Sequence, residues 1–208
     1  MGNILPVSLA AFESDAETSP NGWSKVKGQS GCIYSINMST KVAKLWLIGQ
    51  IGNIEGYTEG IALIKALSSE YILHVYINSP GGAISTAAHI ISAMDICEAH
   101  IVTHNIGLAA SCGSLILCCG NMIEADQNTT TMFHSSGFGS QGLSHRIRTA
   151  ADHLIGYVNM LFDMMRERGL VTEEEFINIT TKGAEYYHSS DEINRRLEQN
   201  NIRYRGAL

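Results

Sequence analysis

The sequence predicts an α/β protein, because short strand-like runs alternate with segments whose apolar residues recur at helical spacing. The runs CIYSINM, KLWLIGQI and YILHVYINS are rich in β-branched and aromatic residues and are bounded by Gly, Asn, Ser or Pro. Between the second and the third lies EGYTEGIALIKALSS, which has the apolar spacing of a helix. A strand, a helix and a strand in this order predict a parallel crossover.

The same alternation continues along the chain. AISTAAHIISAMDICEA predicts a helix, IVTHNIG a strand and SCGSLILCCG a compact apolar helix, while NMIEAD and TTTMFH predict two further strands. After the loop SSGFGSQG comes the longest helical pattern, over about residues 143–168, with one apolar stripe. Gly169 is predicted to end that helix, and Thr172, followed by three glutamates, is predicted to begin the next one as its N-cap.

The length and the polar N-terminal part predict the domain organisation. A chain of 208 residues is long enough for one domain with a substantial core. Residues 13–31 are polar and lack apolar periodicity. We therefore expect a flexible N-terminal segment over residues 1–31 and a single domain over residues 32–208.

Composition and charge exclude several classes of partner. Fourteen Lys and Arg against twenty Asp and Glu give a net charge of −6 without any basic run, so no nucleic-acid partner is expected. The stretch 107–120 is too short and too rich in small residues to span a bilayer, so no membrane partner is expected. Charged residues make up only 16%, against about 25% in typical soluble domains. Much of the surface is therefore predicted to be uncharged or buried against other subunits.

The cysteines and the N-terminus predict the compartment. The five cysteines are odd in number and lack zinc-site spacing, so they are predicted to be buried free thiols in a reducing compartment. The N-terminal MGNILPVSL lacks the basic and apolar regions of a signal peptide. No pair of histidines shows a metal-ligand spacing. We therefore expect a cytoplasmic protein without a metal or another cofactor.

A glycine pair follows one predicted strand, in the segment INSPGG. Gly81 and Gly82 carry no side chains that would cover their backbone N–H groups. These groups could therefore donate to a ligand oxygen, as an oxyanion hole requires. A plain strand-to-helix turn is the alternative explanation of the pair taken alone.

The segment GLAASCGS places Ser111 at the end of a predicted strand and the start of a predicted helix. Its small neighbours would let a bulky acyl substrate approach the hydroxyl, and the N–H of Cys112 could donate to an oxyanion. A helix N-cap serine is the alternative. Ser114, one helical turn further on, is expected to point into the helix packing.

His134 ends the strand TMFH, downstream of the candidate nucleophile. A histidine at the exit of a buried strand is well placed to be a general base for a serine. A polar residue at the strand edge is the alternative. The other histidines lie in helix patterns or beside strands and have no matching nucleophile motif.

Taken in this order, INSPGG, GLAASCG, MFH and a long amphipathic helix resemble the ClpP serine-peptidase family, the proteolytic subunit of the Clp protease. The resemblance covers roughly residues 32–197. It implies a ClpP/crotonase-type αβ spiral with a protruding handle helix after the catalytic histidine. It further implies Ser111 as nucleophile and His134 as general base. By the same match, the backbone N–H groups of Gly82 and Cys112 would form the oxyanion hole.

The third triad member of this family is an acid four residues before a serine, in a pattern like Asp-x-Phe-x-Ser. Counting back from Ser189 reaches Glu185, so a glutamate stands where the family has aspartate. The extra methylene requires the glutamate backbone to sit further from the imidazole. Asp191 is the alternative acid.

The resemblance also implies an assembly and a partner. It implies a homo-oligomer of stacked rings, a tetradecamer in the family, with the handle helix interleaving between rings and an AAA+ Clp ATPase as partner. The segment 1–31 would then be an axial loop or a propeptide. The family has Gln-Pro after its histidine and an arginine beside its acid, whereas this chain has Ser135-Ser136 and Tyr186. These differences leave ring coupling and ATPase docking open.

The function that the sequence predicts is a serine endopeptidase subunit of a self-compartmentalising protease. Such a subunit would cleave unfolded polypeptides inside a ring chamber with an ATP-dependent unfoldase. The alternatives are a catalytically inactive ClpP-like scaffold or regulatory ring subunit, and a crotonase-fold acyl-CoA enzyme, which needs no Ser/His couple. A Ser-Lys peptidase is disfavoured because no lysine lies between Lys65 and Lys182.

Overall fold

The computed structural model describes residues 22–24, 27–29, 31–135 and 162–199. Within these residues, eight strands form one sheet, and helices connect and flank them. The strands are β1 (Lys27–Gln29), β2 (Cys32–Asn37), β3 (Val42–Ile48), β4 (Ile72–Ser79), β5 (His100–Ala110), β6 (Met122–Ala125), β7 (Thr130–His134) and β8 (Glu185–Ser189). The helices are α1 (Thr58–Ala66), α2 (Ile84–Asp95), α3 (Cys112–Leu117), α4 (Glu173–Lys182) and α5 (Ser190–Gln199), with a 3₁₀ turn at Ile54–Gly56 and helical residues at 162–167.

The sheet has the strand order β1-β2-β3-β4-β5-β7-β8, and β6 also pairs with β5. The central strands β3, β4 and β5 run parallel, with α1 and α2 in the two connections, which confirms the α/β class and the predicted crossovers. The long strand β5 pairs with β6 through residues 102–105 and with β7 through residues 108–110. The end of β5 therefore lies beside β7, and β8 pairs antiparallel with the far side of β7.

The core lies on the sheet face that α1, α2 and α3 cover. Alternate residues of β3 and β4 point into it, because successive side chains of a strand point to opposite faces. Leu73, Val75 and Ile77 of β4 are fully buried, and they pack in one cluster with Leu63 of α1 and Ile90 of α2. The buried faces of these central strands hold the strand ends, where the motifs lie, in fixed positions.

Part of residues 1–31, the segment predicted to be flexible, pairs with the sheet. Lys27–Gln29 pairs antiparallel with β2, and Trp23 makes an antiparallel bridge to Asn37. A short edge strand is held by backbone hydrogen bonds, so a polar composition does not prevent it. Residues 1–21 lie outside the described part of the chain.

Most of the predicted handle helix, residues 143–161 of about 143–168, lies outside the described residues. Its last part, residues 162–167, is helical. Gly169 follows with a left-handed φ of 66°, and its N–H donates to the Arg166 carbonyl at 2.8 Å, which confirms the predicted end.

The N-cap predicted at Thr172 is confirmed. Its hydroxyl accepts from the Glu175 N–H at 3.2 Å, and the Glu175 carboxylate accepts from the Thr172 N–H at 2.8 Å, which is a capping box. Strand β8 and helix α5 were not predicted as elements. The side chains of β8 are mostly polar, so its pairing with β7 leaves no alternating apolar pattern in the sequence.

Candidate active site

Ser111 lies at the junction between β5 and α3 in a strained backbone conformation. Its φ is 55° and its ψ is −122°, a region that residues with side chains seldom occupy. The surrounding backbone imposes this conformation, because the Ser111 N–H donates to the Met132 carbonyl of β7 at 3.1 Å and the Ser111 carbonyl accepts from the Leu115 N–H at 3.2 Å. Ser111 occupies the N-cap position of α3, but its side chain makes no capping hydrogen bond, so helix capping does not explain the serine. A strained serine at a strand-to-helix turn has the geometry of a nucleophile elbow.

The glycine turn after β4 packs directly on this elbow. A Cβ atom at Gly81 would lie 2.6 Å from the Ser111 Cβ and 2.8 Å from the Ala110 carbonyl oxygen, closer than real Cβ atoms come. At Gly113, the second residue of α3, a Cβ would lie 3.1 Å from the Ser79 carbonyl oxygen. Glycine at position 81 is therefore required for the two motifs to approach each other.

The backbone of Gly82 is held by Ile51, which follows β3. The Ile51 N–H donates to the Gly81 carbonyl, and the Ala83 N–H donates to the Ile51 carbonyl, both at 2.8 Å. In a planar trans peptide the C=O and the N–H point in opposite directions. The bond from the Ile51 N–H to the Gly81 carbonyl therefore directs the Gly82 N–H away from Ile51. Gly82 has a φ of 147°, and a Cβ there would lie 2.1 Å from the Ile51 oxygen, so glycine is obligatory. No acceptor among the described residues binds the Gly82 N–H.

Ile51 is a residue of this site that the sequence did not indicate. It lies alone in the segment GQIGN, where no periodicity or motif singles it out. Its contribution is made by its backbone atoms, which every residue type except proline offers. No signal in one sequence could have found it.

The imidazole of His134 lies on the strand next to Ser111. The Ser111 N–H binds the carbonyl of Met132 in β7, and His134 lies two residues further along the same strand. Ser111 and His134 are therefore about one pleat apart in the direction of β7. Its Nε2 atom is buried and has no hydrogen-bond partner among the described residues. Buried polar atoms are almost always paired, and in the described residues the Nε2 atoms of His134 and His188 are the two buried side-chain exceptions.

The other ring nitrogen of His134 faces Glu185. The two residues are register partners across β7 and β8, and the His134 Nδ1 atom lies 3.9 Å from the Glu185 Oε1 atom. The Tyr187 hydroxyl donates to the second oxygen of Glu185 at 3.3 Å. The carboxylate is half exposed, with 54% of the side chain accessible. Strand pairing thus brings the Glu185 carboxylate near the imidazole, although the side chain is one methylene longer than the aspartate of the family.

Asp191, the alternative acid, lies elsewhere. It follows Ser189, which pairs with Thr130 at the opposite end of β7 from His134. Four residues of strand separate the two ends by about 13 Å. The structure therefore brings Glu185, and not Asp191, to His134.

A buried ion-pair cluster fastens the part of the chain that carries Glu185. Arg196 of α5 binds both carboxylate oxygens of Glu175 in α4, at 2.6 and 2.9 Å, and its Nε binds Glu192 at 2.6 Å. Burial alone would raise the pKa of the Glu175 carboxyl, but hydrogen bonds from Arg196 and the Thr172 N–H lower it to about 2. His188 of β8 places its Nε2 3.3 Å from Glu175. The cluster joins α4, α5 and β8.

A second polar cluster lies on the sheet face opposite the core. The His74 Nδ1 lies 2.9 Å from the His104 Nε2, and the His104 Nδ1 lies 3.0 Å from the Glu124 carboxylate. Tyr76 stacks on His104, with ring centroids 4.7 Å apart. Burial lowers the pKa of both histidines. Among the described residues, no group of three His, Cys, Asp or Glu side chains is arranged to hold a metal ion.

The predicted free thiols are confirmed. All five cysteines are unpaired, four of them are buried and Cys97 is half-buried. None of the helices in the described ranges is long and apolar enough to cross a membrane.

The fold and the site define a mixed α/β protein in which a strained serine, a histidine and a carboxylate lie at the ends of neighbouring strands. Residues 36–192 match the family model described as Clp protease. Since this match covers most of the sequence, the chain belongs to the Clp protease family, which confirms the resemblance.

Two curated relatives show how far this similarity extends. The chain is 36% identical over 104 residues to the ATP-dependent Clp protease proteolytic subunit 2 of Thermobifida fusca (strain YX), covering 49% of this chain and 51% of that protein. It is 34% identical over 97 residues to the ATP-dependent Clp protease proteolytic subunit of Ligilactobacillus salivarius (strain UCC118), covering 46% and 49% respectively. The chain thus spans about half the length of the curated relatives it matches.

Proposed function

We propose that this chain is a ClpP-type serine endopeptidase that hydrolyses peptide bonds by acyl transfer. The observations that carry the proposal are the strained elbow of Ser111 and, on the neighbouring strand β7, the buried Nε2 atom of His134, which has no hydrogen-bond partner among the described residues. A strained serine and an unpaired buried imidazole each raise the free energy of the folded state, so both are expected where chemistry needs them. A crotonase-fold acyl-CoA enzyme would need neither of them.

In the proposed reaction, the Ser111 oxygen attacks the peptide carbonyl while the His134 Nε2 takes the hydroxyl proton. The imidazolium then gives that proton to the leaving amine as the C–N bond breaks. Water then attacks the acyl-enzyme, giving a proton to the His134 Nε2, which passes it to the Ser111 oxygen as the ester C–O bond breaks. The new carboxylic acid end of the peptide leaves, and the serine is free again. Proton transfer of this kind contributes about 10²- to 10⁴-fold to the rate.

The oxyanion would be held by the N–H groups of Gly82 and Cys112. The bond from Ile51 turns the Gly82 N–H away from residue 51, and the Cys112 N–H is the first of α3, where no intrahelical acceptor exists. Donors aimed at the developing charge are worth about 10²- to 10³-fold each.

Glu185 is the proposed third member of the triad. At 3.9 Å its carboxylate is beyond hydrogen-bond distance of the His134 Nδ1, but its charge favours the imidazolium that forms in the reaction. Hydrogen bonds of this kind often tighten only when substrate is bound.

The proposed substrates are unfolded polypeptides, and the proposed assembly is a homo-oligomer of stacked rings fed by a Clp ATPase. Support comes from the family and from the relatives, whose names describe proteolytic subunits of an ATP-dependent protease. The low content of charged residues, 16%, agrees with a subunit that buries surface against its neighbours. Enclosure would prevent such a site from cleaving folded proteins indiscriminately.

The test of the proposed function is covalent labelling of Ser111. A fluorophosphonate probe reacts with a serine only when a base activates it, so we expect one label on Ser111, mapped by peptide mass spectrometry. The Ser111→Ala variant should fall to background, while Ser92→Ala, which removes an exposed serine of α2, should label like the wild type. Unchanged labelling of Ser111→Ala would overturn the assignment. An unlabelled wild type would favour the inactive ring subunit.

The acid of the triad is tested by a pair of substitutions. We expect Glu185→Ala to lower kcat for a short fluorogenic peptide by about 10- to 100-fold, less than the roughly 10⁴-fold seen for a buried triad aspartate, because Glu185 is half exposed. Asp191→Ala should stay within about twofold, since Asp191 lies at the far end of β7. The opposite pattern in steady-state kinetics would show that Asp191 is the acid.

A further inference from the structure

The thiol of Cys112 connects the two backbone segments that carry the proposed oxyanion donors. Its Sγ–H donates to the Gly82 carbonyl oxygen at 3.3 Å, and the residue is only 4% exposed. Cys112 follows Ser111 directly, and its own backbone N–H is one of the two donors. Its side chain therefore binds the glycine turn that supplies the other donor, the Gly82 N–H.

The glycine turn needs such a connection, because glycine itself gives little conformational restraint. With no Cβ at Gly81 or Gly82, the peptides on either side can rotate at low cost, so hydrogen bonds must set their orientation. Two of these bonds run to Ile51, which lies outside the elbow. Among the described residues, the bond from the Cys112 thiol is the one hydrogen bond that joins the turn at residues 80–83 to the elbow at residues 111–114.

We propose that the Cys112 thiol is a positioning group of the oxyanion hole, which sets the Gly82 peptide relative to the Cys112 N–H through its bond to the Gly82 carbonyl. The proposal rests on the proposed function, since it deepens the role of the same two N–H groups. The thiol also has the Ser111 side chain as a hydrogen-bond neighbour. The role proposed here is the one that passes through the Gly82 carbonyl.

The protonation state of the thiol is the one that this role requires. Burial raises the pKa of the Cys112 thiol above its usual value. The group therefore stays an S–H donor at neutral pH, whereas a thiolate could only accept. Burial also disfavours a reactive nucleophile, so the sulfur acts through its hydrogen bond.

The expected effect is on kcat rather than on KM. An oxyanion exists only in the transition state and the tetrahedral intermediate, so loosening the donors leaves substrate binding unchanged. A thiol is a weak donor, so we expect a loss of about tenfold in kcat, smaller than the 10²- to 10³-fold that removal of a donor itself would cause.

The experiment compares Cys112→Ala, Cys112→Ser and the wild type in steady-state hydrolysis of a short fluorogenic peptide. We expect Cys112→Ala to lose about tenfold in kcat with KM within about twofold, and Cys112→Ser, which keeps a donor, to recover to within about threefold of the wild type. Cys97→Ala, which removes a half-buried thiol after α2, is the matched control and should not change kcat.

A second readout separates positioning from a purely structural effect. A peptide boronic acid forms a tetrahedral adduct with the serine, so its inhibition constant should rise in Cys112→Ala in proportion to the loss in kcat. Wild-type kcat in Cys112→Ala, or an equal loss in Cys112→Ser, would overturn the inference while leaving the peptidase function in place. A wild-type protein that neither hydrolyses peptide nor takes the fluorophosphonate label would overturn both.

Discussion

Replacing Ser111 by alanine is expected to lower kcat for a short fluorogenic peptide by about 10⁴-fold or more, with KM little changed. The hydroxyl is the group that forms the acyl-enzyme, so its loss removes the reaction route rather than one contact. The strained φ of 55° is imposed by backbone bonds to Met132 and Leu115, so the alanine variant should keep the elbow and the fold. Steady-state kinetics at matched protein concentration measures the effect.

Ser114→Ala is the comparison that makes this result specific. Ser114 lies one turn further along α3, is fully buried and donates its hydroxyl proton to the Ser111 carbonyl at 2.7 Å. Its loss should disturb the elbow slightly and lower kcat by less than about tenfold, as one neutral hydrogen bond is worth about 1 kcal/mol. Loss of hydrolysis in Ser114→Ala together with retention in Ser111→Ala would show that Ser111 is not the nucleophile.

Replacing Arg196 by methionine is expected to lower the free energy of unfolding by about 3 to 5 kcal/mol. Methionine fills a similar volume, but it leaves the Glu175 carboxylate, which is only 12% exposed, without its bidentate partner. It also removes the donor to the Leu170 carbonyl. Urea unfolding followed by far-UV circular dichroism measures the change.

Arg195→Met is the matched control for this prediction. Arg195 is the neighbouring residue and also binds Glu192, at 2.6 Å, but 51% of its side chain is accessible. Its loss should destabilise the fold much less than the loss of Arg196, because exposed ion pairs contribute little. Equal destabilisation by the two substitutions would show that burial of the Arg196 cluster does not matter.

The pH dependence of the Arg196→Met defect follows from Glu175. The native pKa of this carboxyl is lowered from 4.5 to about 2, so its ion pair contributes stability above about pH 4.5 and loses it as the pH falls toward 2. The difference between wild type and variant should therefore be full at pH 7 and shrink between pH 4.5 and 2. A difference that grows on acidification would contradict the role given to Glu175.

Much of the fold and two of the candidate site segments could be read from the sequence, because they rest on local patterns. The buried faces of the central strands and helices show as apolar periodicity, so β3, α1, β4, α2 and β5 were predicted in order. The glycine turn and the serine elbow were visible because their close approach requires small residues, as the contacts a Cβ would make at Gly81 show.

Long-range pairing decided the rest. The hydrogen bonds of Ile51, the edge strand at Lys27–Gln29 and the pairing of β8 with β7 are made by backbone atoms that every sequence carries, so no residue pattern marks them. The same register brought Glu185 to His134 and left Asp191 at the far end of the strand. Local residue patterns therefore identify the candidate serine, histidine and acids, whereas strand register, which no local pattern encodes, places Glu185 rather than Asp191 near His134.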